Sequence, residues 1–481
     1  MLQQAFHIFR KDSRYLRFEI AGVLAMIALF AIAQVLPVET LRRGAGGLFG
    51  IWEILLPVGW CFLIARAVHA EPIPGDRQFW VTRPYSRASL LLAKAIFILT
   101  FVNLPFLIAQ SAILKLDAFP ILSNAGGLLW EQLLVTAVVT LPALVLAAMT
   151  ANMIQFVMGA VALGALAIGP VNGLRDLGAA AWLARSAVAV LTVAVGLVIL
   201  WLQYRLRKTF VSLGMTASGI LFGLVLLIFG PWASAFPIQS HLAEPLRSSL
   251  RVEFRPLDNS VPRTFKPKGY SALAVPLRIT GAPENTLLRC EGAQITITAQ
   301  SGTIWKSRTA FNVPFRQTAD GCVTELSMDR FFLETHREER VHIQGALSLT
   351  IFGNPRSTDL AMETPTVVPG VGQCLVLPRE PAPARDTDVR SFLCLAPLRW
   401  PRLLVTGHAK DRASGETFSA DLSYSPFPAD FRLSPVERNL GLVAAAETIT
   451  ITTQEPLAHV RSEFDARNIR LGDLEVFSAP Y

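Results

Sequence analysis

The sequence predicts a membrane α-helical bundle of about seven transmembrane helices, followed by an all-β, sandwich-like exported domain. Three observations carry this. Mean hydropathy is +0.43 over 481 residues, and the apolar excess lies before about Phe236 as a series of long apolar runs. Beyond that point the pattern alternates, with frequent Pro, Thr, Arg and Glu, as short strands require. The charge divides at the same place: residues 1–236 hold 17 Lys/Arg and 9 Asp/Glu, and the remainder holds 27 of each. The whole net charge of +8 therefore belongs to the apolar half. There it clusters at the ends of apolar runs, which marks topology and argues against nucleic acid as a partner.

A spanning helix needs roughly 20 apolar residues, because about 30 Å of hydrocarbon must be crossed at about 1.5 Å per residue. The runs at 20–36, 48–68, 90–114, 128–149, 153–171, 182–202 and 214–235 meet that need. Cytoplasmic loops of membrane proteins are enriched in Lys and Arg. With the N-terminus inside, 12 cations fall on the inner side: Arg10, Lys11, Arg14, Arg17, Arg66, Arg77, Arg83, Arg87, Lys94, Arg205, Arg207 and Lys208. Five fall on the other: Arg42, Arg43, Lys115, Arg175 and Arg185. An odd number of spans then sets the C-terminal domain outside a cell membrane, the bacterial inner membrane being the expected one.

Residues 1–17 precede the spans, which occupy 18–235. Leu2, Phe6 and Phe9 recur at helical spacing among cations, which suits a helix lying along the inner surface against anionic lipid. A linker is expected at 236–249 and the β-rich domain at 250–481. Strand patterns recur at 287–304, 341–352, 402–408 and 448–453, and a Pro-rich stretch near 354–390 suggests a division of the domain into two modules.

Cys61 lies in an apolar run, whereas Cys290, Cys322, Cys374 and Cys394 all fall in the exported domain. An oxidising compartment favours disulfides. Four cysteines allow three pairings and sequence does not choose among them; neighbour pairing, Cys290 with Cys322 and Cys374 with Cys394, is the expectation.

Motifs for chemistry are missing. No GxxxxGK[ST], HExxH or GxSxG occurs, so neither ATP hydrolysis by a P-loop nor a recognisable hydrolase site is expected in this chain. No catalytic residue, metal site or cofactor is assigned. His336, Glu338 and His342 share their stretch with Arg337, Glu339 and Arg340, the composition of a solvated charged face. Within the spans, Glu53 and Asn103 are candidates for a substrate path, because a polar group in hydrocarbon usually faces a cavity or a partner.

The most informative segment lies between the second and third runs. It carries Glu71, Gly75, Arg77, Phe79, Trp80, Arg83, Pro84, Ser86 and Arg87, and leads on to Lys94. Aromatic groups ringed by Arg in a polar loop are what protein interfaces use as anchors. With Glu71, Gly75, Phe79, the Pro84-Tyr85-Ser86-Arg87 step and Lys94 in that order, residues 1–235 resemble the ABC-2 type permeases, membrane subunits of ATP-binding-cassette exporters. The resemblance implies a separate cytoplasmic ABC ATPase as partner, the 71–87 loop as contact, and a homodimer or heterodimer of permeases. It does not extend to a seventh span or to a domain as large as 250–481. The alternative is a non-transporting envelope protein whose exported β-domain binds a partner or ligand.

Overall fold

The computed structural model describes residues 2–35, 46–71, 86–175, 181–206, 208–230, 234–242, 250–255, 270–307, 310–311, 315–318, 321–361, 364–376, 389–397, 403–411, 417–423, 433–444 and 446–476. The apolar half forms helices α1 (Leu2–Tyr15), α2 (Arg17–Val35), α3 (Gly46–His69), α4 (Arg87–Leu116) and α5 (Leu122–Met149). There follow α6 (Met153–Arg175), α7 (Trp182–Leu206), α8 (Thr209–Phe229) and a short α9 (Ala235–Leu242). Among the described residues five helices, α2, α4, α5, α7 and α8, are long and apolar enough to cross a membrane. The sequence reading counted seven. The other two runs are also helices, α3 with 24 residues and α6 with 23, but their fully described apolar stretches, Ile54–His69 and Met153–Ala165, are shorter. The segment expected as a linker opens with α9.

These helices are apolar around most of their circumference, as a helix with lipid on one side and neighbours on the other must be. Contacts among large aromatics join them: Trp60 meets Phe106 edge-on at 4.9 Å between centroids, and Phe106 lies 6.1 Å from Phe30. α1 is of another kind. Ala5, Ile8 and Asp12 lie on one buried arc against the bundle, while Leu2 and Phe6 are exposed on the next.

Besides the last turn of α7 at Leu202–Leu206, two helices widen into π-turns in mid-course, α4 at Leu99–Asn103 and α5 at Thr136–Thr140. In each, the amide just after the widened turn reaches back five residues, Leu104 to Leu99 and Leu141 to Thr136. The next residue is Pro105 or Pro142. Proline has no N–H to give and its ring crowds the carbonyl four residues back, so the wider turn relieves both problems.

The C-terminal half is built of strands β1 (Arg251–Phe254), β2 (Tyr270–Thr280), β3 (Leu287–Thr298), β4 (Ile304–Lys306), β5 (Ala310–Phe311), β6 (Phe315–Thr318), β7 (Gly321–Asp329) and β8 (Arg340–Leu360). β9 (Thr366–Val368), β10 (Gly372–Val376), β11 (Val389–Pro397), β12 (Leu404–Asp411), β13 (Thr417–Ser423), β14 (Val436–Ala444), β15 (Ala446–Arg470) and β16 (Glu475–Val476) complete it, with one helix, α10 (Arg330–His336). A seven-stranded sheet runs β13-β12-β15-β8-β3-β4, with β5 beside β3. Its spine is the antiparallel pair β8 and β15, of 21 and 25 residues, in register from Arg340↔Arg470 to Leu360↔Ile449. Three irregularities in β15 let so long a ribbon bend. One of them includes Pro456, which has no ladder hydrogen bond to donate.

Two smaller sheets pack on this spine. The five-stranded sheet β1-β2-β7-β6, with β16 beside β2, shares a core with one end, where Leu273, Val275 and Met328 meet Ile295, Ile343 and Leu349. The four-stranded sheet β14-β11-β10-β9 shares a second core with the other end, where Cys374, Val376 and Phe392 meet Leu360, Ile449 and Ile451. Alternation on β3, whose even-numbered Cys290 and odd-numbered Ile295 and Ile297 are all buried, shifts phase at the Cys290/Gly292 bulge. Cys374 and Cys394 face each other across β10 and β11 and form a disulfide of 2.01 Å. Of the other expected pair, Cys290 is buried on β3 and the side chain of Cys322 lies outside the described residues.

The two halves meet in one core. Leu433 and Val436, ahead of and opening β14, belong to the same hydrophobic cluster as the helices, with Leu395 and Phe119 packed against it.

Candidate functional site

At the α1 end of the bundle, four charged groups from three segments converge. Lys94, on the first turns of α4, is buried, and its Nζ donates to Asp12 Oδ2 at 2.6 Å and to Glu71 Oε2 at 3.2 Å. Lys11 Nζ donates to the other oxygen of Glu71 at 2.5 Å and lies 3.6 Å from Asp12 Oδ1. Two cations and two carboxylates thus neutralise one another, and all but Lys11 are shielded from water. The buried hydroxyl-bearing ring of Tyr204, on the last turn of α7, lies within electrostatic reach of both Glu71 and Asp12. Burial pushes the Glu71 carboxyl up, but Lys94 and Lys11 together pull harder and hold it below the usual carboxylate range.

The local sequence explains each position. Asp12 follows Ala5 and Ile8 on one arc of α1, so burying that arc carries a carboxylate inside. Glu71 comes two residues after α3 ends at His69. Ser86 caps α4, its Oγ accepting from the Ser89 amide at 3.1 Å. That cap fixes the start of α4 and with it Lys94, two turns further on.

The residues on either side of the 72–85 segment are each held in place. Glu71, before it, is in the ion cluster. After it, Ser86 meets the Ser89 hydroxyl at 2.6 Å, and Ser89 donates to Gln4 of α1 at 3.2 Å. Arg87 donates to the Arg205 carbonyl of α7 at 2.5 Å. Of the residues singled out in the sequence, Glu71, Ser86 and Arg87 are therefore brought together. Gly75, Arg77, Phe79, Trp80, Arg83 and Pro84 lie outside the described residues, as does the side chain of Glu53 on α3.

Asn103 does not stand alone in its helix. Its Nδ2 donates to Gln132 Oε1 at 3.2 Å and to Thr136 Oγ1 at 3.1 Å, both on α5. Sequence reading missed Asp12, Gln110 and Gln132 as members of these polar networks, and Tyr204 as a buried neighbour of one. The signals were present: a carboxylate on the apolar arc of α1, Gln110 seven residues after Asn103 on one face of α4, and Gln132 four residues before Thr136 on α5.

In the β-rich half, His336, Glu338 and His342 take separate partners. His336 meets Glu339 at 3.0 Å, Glu338 pairs with Arg470, and His342 meets Asp465 at 2.5 Å. Among the described residues no group of three His, Cys, Asp or Glu side chains is placed to hold a metal ion. A different trio, two of its members buried and His459 half-buried, lies near α9. Thr350 donates to Glu291 Oε1 at 2.5 Å and meets His459 Nδ1 at 2.9 Å, and the His459 ring stands edge-on to Phe236.

Compared with protein families and with curated proteins, the chain matches none.

Proposed function

We propose that this chain is the membrane subunit of an ABC-2 type transporter, driven through its 71–87 loop by a separate ATPase. The single observation that supports this most is that Glu71, just before the loop, shares a buried ion cluster with Lys94 of the helix that follows it. Asp12, Glu71 and Lys94 join α1, the end of α3 and the start of α4. A push on the loop is thereby delivered to three elements at once, as rigid-body coupling requires. No covalent chemistry is asked of this chain, and ATP is hydrolysed by the partner. In this reading the protein works as a dimer in a bacterial inner membrane. Its N-terminus and loop face the cytoplasm, and the β-rich half faces outward.

Phe79 and Trp80 serve as anchors for the ATPase, with Arg77, Arg83 and Arg87 around them. Truncating such an anchor typically costs about 2 kcal/mol. Phe79→Ala combined with Arg83→Ala is therefore expected to weaken co-purification of an ATPase at least roughly tenfold, with membrane insertion unchanged. A double variant that accumulates normally and keeps its ATPase sinks this reading. Phosphatase and fluorescent-protein fusions at Pro74, Arg207 and Tyr481 test the orientation: phosphatase activity at Arg207, or none at Tyr481, refutes it.

A second reading is supported by the shared core at Leu433 and Val436. There the helices serve to anchor and inform an outward-facing β-domain that binds a partner, and nothing is transported. Purification in mild detergent separates the two, because only the first requires an ATPase to travel with the chain.

A further inference from the structure

A continuous row of side-chain amides runs through the apolar bundle to the β-rich half. From Asn103 the row passes to Gln132, whose Nε2 donates to Gln110 Oε1 at 3.0 Å. Gln110 Nε2 then donates to the backbone carbonyl of Leu433 at 3.1 Å. The Thr136 hydroxyl closes the near end by donating to the Gln132 carbonyl at 2.8 Å. Gln110 is fully buried and Asn103 nearly so.

The placement of its two ends is what gives the row a use. One end is Leu433, in the segment leading into β14. The other is the pair of π-turns, since Asn103 is the last residue of one and Thr136 the first of the other. A π-turn is a helix with one residue more than the α-helical turn needs. Drawing it back to α-helical form rotates everything beyond it by about 100°, the angle per residue of an α-helix. Gln110 lies beyond the α4 π-turn, so such a rotation carries its side chain away from Leu433. The widened state of α4 and the docked state of the β-rich half are therefore mutually dependent.

A second contact locates the docking. Phe119, in the turn between α4 and α5, lies against Gly372 at the start of β10. Gly372 has φ +135°, and a Cβ there would come within 2.6 Å of the Phe119 ring and 2.2 Å of the Leu395 carbonyl. Only glycine leaves room for both.

We propose that the Asn103–Gln132–Gln110–Leu433 row is a conformational link through which the β-rich half sets the state of the two π-turns. Gln110 is its positioning residue. The link goes beyond the transporter reading and does not depend on it.

Hydrogen–deuterium exchange of the full chain in phospholipid nanodiscs tests it. Gln110→Leu removes both bonds of the central residue while keeping its bulk. Exchange in the segments 99–106 and 136–143 is expected to rise at least about threefold, equivalent to one average hydrogen bond between membrane helices. Exchange in β8 and β15 stays unchanged. Gly372→Ala, which displaces Phe119 but leaves every amide of the row in place, is expected to produce the same rise at the π-turns. Adding Gln110→Leu to it adds little. Unchanged exchange at the π-turns in either variant overturns the proposal, as does a rise that appears equally in β8 and β15.

Discussion

Replacing Lys94 with Met removes one charge from the ion cluster while keeping most of the side chain's length. In the native chain Lys11 and Lys94 balance Asp12 and Glu71. After Lys94→Met the balance is one negative, and it is unevenly shared. Glu71 keeps Lys11 at 2.5 Å, whereas Asp12, whose side chain is 1% exposed, keeps the same amine only at 3.6 Å. Removing one partner of a buried pair usually costs about 3–5 kcal/mol, because the remaining charge has lost both water and counterion. Asp12→Asn in the same chain removes that stranded charge. The double variant is therefore expected to lose at least about 1 kcal/mol less than the sum of the two single variants. Unfolding by SDS in mixed micelles, followed by helical circular dichroism, measures the three losses. Trypsin cleavage among Arg10, Lys11, Arg14 and Arg17 reports separately whether α1 has come away from α4. Glu71 adds a signature in pH. Its carboxyl is held low, so its stabilisation is present above the ordinary carboxylate range and disappears as pH falls through the lowered value. With Lys94 gone the pull weakens and the folded value rises toward the unfolded one, so this loss becomes smaller and is complete at a higher pH. Losses that add to within about 0.5 kcal/mol, or a Lys94→Met cost below about 1 kcal/mol, refute the view that this pairing holds the three elements together.

Two further outcomes are expected. Thiol labelling of denatured, unreduced protein should leave Cys374 and Cys394 unmodified, since they are bonded across β10 and β11; labelling of both argues against an oxidising location for the β-rich half. Burial pushes the His459 imidazole down to about 4, while an unfolded chain binds that proton near about 6.5. The unfolded state thus holds more protons between those values, and the β-rich half should lose up to about 3 kcal/mol as pH falls through the window. His459→Gln should flatten that slope in denaturant titrations monitored by tryptophan fluorescence, and an unaltered slope removes His459 as its cause.

Much of the architecture was legible because its causes are local. Apolar runs about as long as a bilayer is thick become helices whatever their neighbours, and alternation such as Gln294-Ile295-Thr296-Ile297 becomes a strand whenever one face is covered. Reading 341–352 and 448–453 as strands found the right places but only part of the lengths. β8 and β15 extend to 21 and 25 residues, because each supplies the other's hydrogen bonds along almost its whole course. Such mutual support does not show in either segment alone. The apolar helices raised a related difficulty: hydropathy identifies runs long enough to cross, and five helices meet that measure among the described residues, where seven runs had suggested seven spans.

By itself, then, the sequence determined the division into an apolar helical half and a β-rich half, the amphipathic helix at the N-terminus, and the polar segment that begins at Glu71. Only the tertiary structure decided which polar groups meet. Asp12, Glu71 and Lys94 are 59 and 23 residues apart in sequence order, and Gln110 finds its acceptor 323 residues away at Leu433. A buried charge or amide requires a partner, and that much can be read from composition. Which partner it finds depends on how helices and sheets pack, and packing is settled by shape and burial over the whole chain rather than by any local pattern.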